Sequence, residues 1–155
     1  MLVYDFVAVP LPFGDAEERL LHELEGLERC ADSAYRDGET LGVRIGLVVP
    51  LAKTVRLAHG APVRATEQTT VPLTWRATGT PALFPVMEAD LVLTAMGGGY
   101  SHLTFRGSYQ PPFGILGRAA DTVLHRLAEV TVRRFTERLA AALLSAGAPA
   151  PAIGS

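Results

Sequence analysis

Residues 107–144 read GSYQPPFGILGRAADTVLHRLAEVTVRRFTERLAAALL: the end of a strand, a Pro-Pro turn and then one long amphipathic helix. The helical pattern runs from about Ala119 to Ala146, roughly 40 Å at 1.5 Å per residue. Leu124, Leu127, Ala128, Thr131, Phe135, Leu139 and Ala142 fall on one stripe, with Leu143 at its edge, while Arg126, Glu129, Arg133 and Glu137 lie opposite. That is a helix with one solvated side. A sheet of six or seven strands at about 4.8 Å spacing is roughly 30 Å wide, so this helix can cross an entire sheet face. The fold expected is α+β: a curved antiparallel sheet of about six to seven strands wrapped around a long C-terminal helix, with one or two short helices after the first strand.

The rest of the chain supplies those strands and helices. Leu2–Val9 reads as a strand, ended by Pro10 and Pro12, since proline cannot donate to a ladder. Asp15 and Glu18 have capping-box spacing and open a helix, whose stripe is Leu20, Leu21, Leu24 and Leu27. Gly26 favours a break into two short helices, and Asp37-Gly38 reads as a stop. Leu41, Val43, Ile45, Leu47 and Val49 alternate with period two and read as a strand closed by Pro50. Lys53–Ala58 is a short strand, and His59–Pro62 a turn. Val71, Leu73, Trp75 and Ala77 share one face of a strand. Met87, Ala89, Leu91 and Leu93 share one face of Val86–Ala95. Leu103, Phe105, Gly107 and Tyr109 share one face of His102–Tyr109. Gly97-Gly98-Gly99 reads as a hairpin tip, because no helix follows it to make a phosphate loop. Each strand has one apolar and one mostly polar face, which predicts an antiparallel sheet covered on one side. Glu88 and Asp90 can meet Arg106 or Arg76 on the solvated face.

Composition removes several functions. The chain has 155 residues, net charge −2 and one cysteine. It is long enough for a core without disulfide or metal, and Cys30 cannot form an intrachain disulfide. No basic run suits nucleic acid. The N-terminus lacks the basic flank of a signal peptide, and Asp5 interrupts its apolar run. No window approaches the roughly 20 apolar residues of a membrane span. The expectation is a cytoplasmic protein of one domain, residues 1–146, with a Pro-rich tail at 147–155. His22, His59, His102 and His125 are scattered without ligand spacing, so no metal or other cofactor is expected.

The order strand, helices, strands, long C-terminal helix resembles the helix-grip fold of the START-like (SRPBCC) superfamily. So does the run from Gly107, Tyr109 and Pro111-Pro112 through Gly114 and Gly117 to Asp121, His125 and Arg126. This superfamily includes polyketide cyclase/dehydrases and lipid-transfer-like proteins, and the detailed match is to its bacterial members. The resemblance implies a hydrophobic cavity between sheet and helix, but not one reaction. The lining it singles out is Trp75, Met87, Leu91, Phe105, Tyr109, Leu127, Thr131 and Phe135. Thr131 puts a hydroxyl in mid-stripe, either for a ligand or for its own helix.

Chemistry is sparse. Asp121 and His125 are spaced i, i+4 on the last helix and are the catalytic candidates. The structural reading, in which Asp121 with Arg118 ties down the helix start, is favoured. Binding or transport of a small hydrophobic or aromatic molecule is therefore expected, with enzyme activity less so. A polyketide cyclase/dehydratase-like enzyme and a non-catalytic regulatory or protein-interaction module are the rivals. A homodimer stays open.

Overall fold

Alternating burial along the strands determines the architecture. A computed structural model describes residues 1–46, 52, 54–78, 86–110 and 118–146, apart from the side chains of 118–121. The elements are β1 (Leu2–Val9), α1 (Phe13–His22), α2 (Leu27–Arg44), β2 (Thr54–His59), β3 (Val63–Arg64), β4 (Gln68–Thr78), β5 (Val86–Ala95), β6 (Ser101–Tyr109) and α3 (Arg118–Ser145). The six strands form one antiparallel sheet of order β1-β6-β5-β4-β2, with β3 also on β4. β4 is buried at Val71, Leu73, Trp75 and Ala77, and β6 at Leu103, Phe105 and Tyr109. This apolar face grips α3, which presents Leu124, Leu127, Ala128, Thr131, Val132, Phe135, Leu139 and Leu143. The arrangement is the helix-grip fold. Leu143 rather than Ala142 ends the buried stripe.

Several early expectations are corrected. Helix α1 begins at Phe13 behind Pro12, not at Asp15, and no side chain caps it. Pro12 occupies the N-cap position with φ −57° and ψ 151°, and its ring has no oxygen to cap the first turn. A single 3-10 turn at Leu24–Gly26 separates α1 from α2, so the break at Gly26 holds. Asp37-Gly38 does not stop α2, and the alternating run does not begin a strand at Leu41: the helix continues to Arg44. Leu27, Ala31, Ala34, Tyr35, Gly38, Glu39 and Gly42 form its buried stripe at helical spacing. Packing along that stripe outweighs the cost of about 1 kcal/mol for each glycine. The apolar Val43 and Ile45 are left exposed. Leu47, Val49 and Pro50 lie outside the described residues, as does the tail from 147. His59 is the last residue of β2 rather than part of a turn.

Buried and half-buried carboxylates fasten the helices to the sheet. Glu39, nearly inaccessible, accepts from Arg36 Nη1 at 2.9 Å and from the Ala52 amide at 2.9 Å. Arg36 also donates to the Ala52 carbonyl at 2.6 Å, so the pair brackets the approach to β2. Glu28 on α2 accepts from the Leu57 amide at 3.3 Å, on the free edge of β2. Glu17 on α1 takes Arg64 at 2.8 Å and the Thr69 hydroxyl. The Arg64 hydrogen bond, followed by that of Thr69, holds the Glu17 carboxyl below its ordinary range against the opposing effect of burial.

Glycine matters at two places. Gly97, Gly98 and Gly99 have φ of 74°, 64° and 83°, the left-handed region that the β5–β6 hairpin tip requires. At Gly107 a Cβ would lie 2.8 Å from Phe105 Cε1 and 2.9 Å from Met87 Sδ. Gly107→Ala is therefore expected to cost about 1–3 kcal/mol through overpacking. A urea midpoint equal to that of the parent would refute this. A carboxyl with a depressed folded-state pKa contributes stability that is present above its unfolded value and lost as pH falls through the folded one. Glu17→Gln should thus flatten the acid limb of stability against pH, below the ordinary carboxylate range, relative to the parent. Chemical denaturation at a series of acidic pH values measures it, and parallel curves would exclude the effect.

Candidate functional site

Strand register lines up the large inner-face side chains. Leu57 pairs with Trp75, Trp75 with Met87, and Met87 with Tyr109, making one row across β2, β4, β5 and β6. Val71, Leu91 and Phe105 form another row. Leu127, Thr131 and Phe135 descend on them from α3. All eight proposed lining residues are buried, and the seven apolar ones belong to one core cluster. At its centre the Trp75 ring lies 5.3 Å from Phe135 and 6.4 Å from Phe105, and Phe105 lies 5.8 Å from Phe135. Tilted and edge-on pairs of this kind add about 0.5–1.5 kcal/mol each beyond burial. Protein atoms therefore fill that part of the interface. The Thr131 hydroxyl donates to the Leu127 carbonyl at 2.8 Å, bonding back into its own helix.

At the Tyr109 end the apolar row meets polar groups. The Tyr109 hydroxyl lies 2.8 Å from His125 Nδ1, with the two rings nearly parallel at 6.0 Å. His125 Nε2 lies 3.0 Å from Glu129 Oε1. An Nε2–H donating to the carboxylate leaves Nδ1 as an acceptor, and the phenol then donates to it. Tyr109 is buried, His125 half-buried and Glu129 exposed. The three form a hydrogen-bonded path from solvent to a buried hydroxyl. Tyr109 also touches Met1 Sδ at 3.5 Å.

The sequence pairs His125 with Asp121, four residues earlier. Among the described residues His125 meets Glu129, four residues later, and Tyr109 from the sheet. Asp121 falls in the first turn of α3, and its side chain and that of Arg118 lie outside the described residues, as do Pro111 to Gly117. The same i, i+4 rule that selected Asp121 selects Glu129, whose place on the charged side of the stripe concealed it. Cys30 is no rival nucleophile, because burial, followed by the charge of Glu23, raises its pKa and keeps the thiol protonated. Among the described residues no group of three or more His, Cys, Asp and Glu is placed to hold a metal ion. No helix among them is long and apolar enough to cross a membrane.

A concave region lies on the other side of the sheet. A trough of about 760 Å³ crosses the outer face, walled by Leu2, Tyr4 and Pro72 and floored near Thr74, Glu88 and Arg106. Glu88 accepts from Thr74 at 3.0 Å, and Asp90 stands opposite Arg106 in the register. None of the eight lining candidates borders this trough. A ligand there stays largely in water, whereas tight small-molecule sites bury most of their ligand.

No protein-family model matches the chain, and no curated protein matches its sequence. Solved structures do match. TTHA0849 from Thermus thermophilus is 13% identical with a TM-score of 0.55, covering 96% of this chain and 100% of that one. The Zhui aromatase/cyclase from Streptomyces sp. R1128 is 12% identical with a TM-score of 0.46, covering 96% and 99%. Ara h 8.0201 is 12% identical with a TM-score of 0.44, covering 94% and 98%. The full-length likeness to TTHA0849 bears on the fold alone, and it agrees with the helix-grip arrangement of the sheet and α3.

The polar path makes a measurable statement about Tyr109. Tyr109→Phe keeps the ring and deletes the bond to Nδ1, so a loss of about 1 kcal/mol is expected. The His125 15N resonances should show an Nε2–H tautomer in the parent and an Nδ1 shift in the variant. An unchanged Nδ1 resonance would show that the bond is not formed.

Proposed function

We propose that the chain binds a small, largely apolar molecule between the sheet and α3, toward the Met87–Tyr109 end of the interface. The observation that supports this reading is the Tyr109–His125–Glu129 path. A buried phenol tied to a half-exposed imidazole gives an otherwise apolar region one polar anchor. Apolar walls of Trp75, Met87, Leu91, Phe105, Leu127, Thr131 and Phe135 would supply affinity at about 25 cal/mol per Å² removed from water. Tyr109 would set the ligand's orientation. Because the Trp75, Phe105 and Phe135 rings already meet, the ligand lies beside this trio rather than within it. Met87, a flexible thioether, is the side chain best able to yield to it. The START-like resemblance supports the same reading, and with no membrane-spanning helix among the described residues we take the protein to be cytoplasmic.

A second reading draws on the same three residues. In a cyclase/dehydratase-like enzyme, Tyr109 would protonate a leaving hydroxyl, which departs as water while the neighbouring C–H gives its proton to solvent and the double bond forms. A proton from solvent would return to the phenolate by way of His125, with Glu129 holding the imidazole in orientation. Asp121 keeps its place as a candidate beside them. Binding ranks first because these three groups suffice to anchor a ligand, whereas turnover needs a second group poised on the substrate.

Trp75 is the only tryptophan and lies 5.3 Å from Phe135, so its emission reports on this interface. Titration with 2-naphthol and with 2-methylnaphthalene should change that emission saturably. Tyr109→Phe should weaken 2-naphthol roughly fivefold, the equivalent of one hydrogen bond of about 1 kcal/mol, and leave 2-methylnaphthalene unchanged. If neither compound binds saturably by emission or calorimetry, the proposal fails.

A further inference from the structure

The two edges of the sheet are finished differently. Backbone hydrogen bonds in an antiparallel sheet alternate sides along each strand. Met1 and Tyr109 exchange both of theirs, at 2.5 Å and 2.9 Å. With the β1–β6 register, the odd residues of β1 therefore bond to β6. The N–H and C=O of Leu2, Tyr4, Phe6 and Ala8 face away from the sheet. On the opposite edge the same reasoning follows from the bond between the Gly60 amide and the Pro72 carbonyl, and it leaves Val55, Leu57 and His59 of β2 facing outward. That edge is guarded. Glu28 takes the Leu57 amide, and α2 and the Arg36–Glu39 bracket lie against it. No strand among the described residues pairs with the free edge of β1.

β1 also carries no charge on its outer side. It has no proline or lysine, and its one charged residue, Asp5, points inward to α3, accepting from Thr136 at 2.5 Å and lying 3.9 Å from Arg133. The outer side chains are large and apolar instead: Leu2, Tyr4 and Phe6 are 79%, 61% and 54% exposed. An unguarded edge of this kind is a template for another strand.

We propose that β1 pairs antiparallel with β1 of a second copy across a two-fold axis, joining two sheets into one. The strand is complementary to itself. With Tyr4 opposite the partner's Tyr4, Leu2 faces the partner's Phe6, and Phe6 faces the partner's Leu2. In these three pairs the backbone groups point outward, so each exchanges two hydrogen bonds. The outer-face contacts are aromatic and aliphatic throughout, the pairs that stabilise a ladder. In this register Asp5 stands opposite the partner's Val3. A shift by two residues in one direction would set Asp5 against the partner's Asp5 and oppose like charges, and in the other it would centre on Val3 and leave Phe6 without a facing residue. Each copy offers the same patch, as an isologous interface requires. This inference does not rest on the ligand-binding reading.

Sedimentation of the wild-type chain at micromolar concentration should give twice the chain mass. Tyr4→Lys should give the monomer, with the near-ultraviolet signal of Trp75 retained. Tyr4→Pro should do the same, because the amide it removes has no partner within its own sheet. Amide exchange supplies the register. In the wild type Leu2, Tyr4 and Phe6 should be protected and Ala8, beyond the partner's end, should not. In the monomeric variant Leu2, Tyr4 and Phe6 should lose protection while Asp5 and Val7 keep it. A wild-type monomer across the concentration range overturns the proposal. So does a dimer in which the Leu2, Tyr4 and Phe6 amides exchange freely.

Discussion

The seat of α3 on the inner sheet face is the contact that organises the rest of the molecule. Trp75, Phe105 and Phe135 meet there from β4, β6 and α3. These strands and this helix are far apart in sequence, so their meeting determines which way the sheet curls and which side chains count as inside. A single helix about 40 Å long can cover the face because the alternation on every strand is in phase across the register. Gly107 belongs to that contact. Its missing side chain is the space that Met87 and Phe105 occupy.

Around this seat, charge is used for fastening. Glu17, Glu28 and Glu39 each reach from a helix to a strand or its approach, and each satisfies a backbone amide, a hydroxyl or an arginine that would otherwise be left on a sheet margin. A buried carboxylate is costly unless it is paired in this way, which makes these positions sensitive to loss of either partner. The exposed pairs, such as Arg138 with Asp37, contribute little by comparison. The polar groups of the candidate site differ in kind. Tyr109, His125 and Glu129 run from the interior to solvent and link β6 to α3 where the apolar row ends. The outer trough is open, and its charged floor suits a solvated sheet face better than a container.

Much of the fold was legible in the residues. The strands from β4 to β6 and the length of α3 follow from periodicity, and the hairpin tip follows from three consecutive glycines. The failures share a cause. Leu41, Val43 and Ile45 alternate, yet they lie at the end of a helix whose glycines face its packing side, so the local signal was outvoted by a stripe of longer period. Glu129 was legible by spacing, but its path continues to Tyr109 across the sheet, and helical spacing on one element cannot say which strand end it will meet.

The class of architecture and the identity of the apolar surfaces are written in periodicities that each element carries alone, so the chain of residues was enough to reveal them. Which polar groups touch, and which strand edge is guarded, emerged only once the chain was folded. Those outcomes depend on register and on the meeting of distant elements. One residue of slip would turn Tyr109 away from His125 and exchange the inward and outward backbone groups of β1.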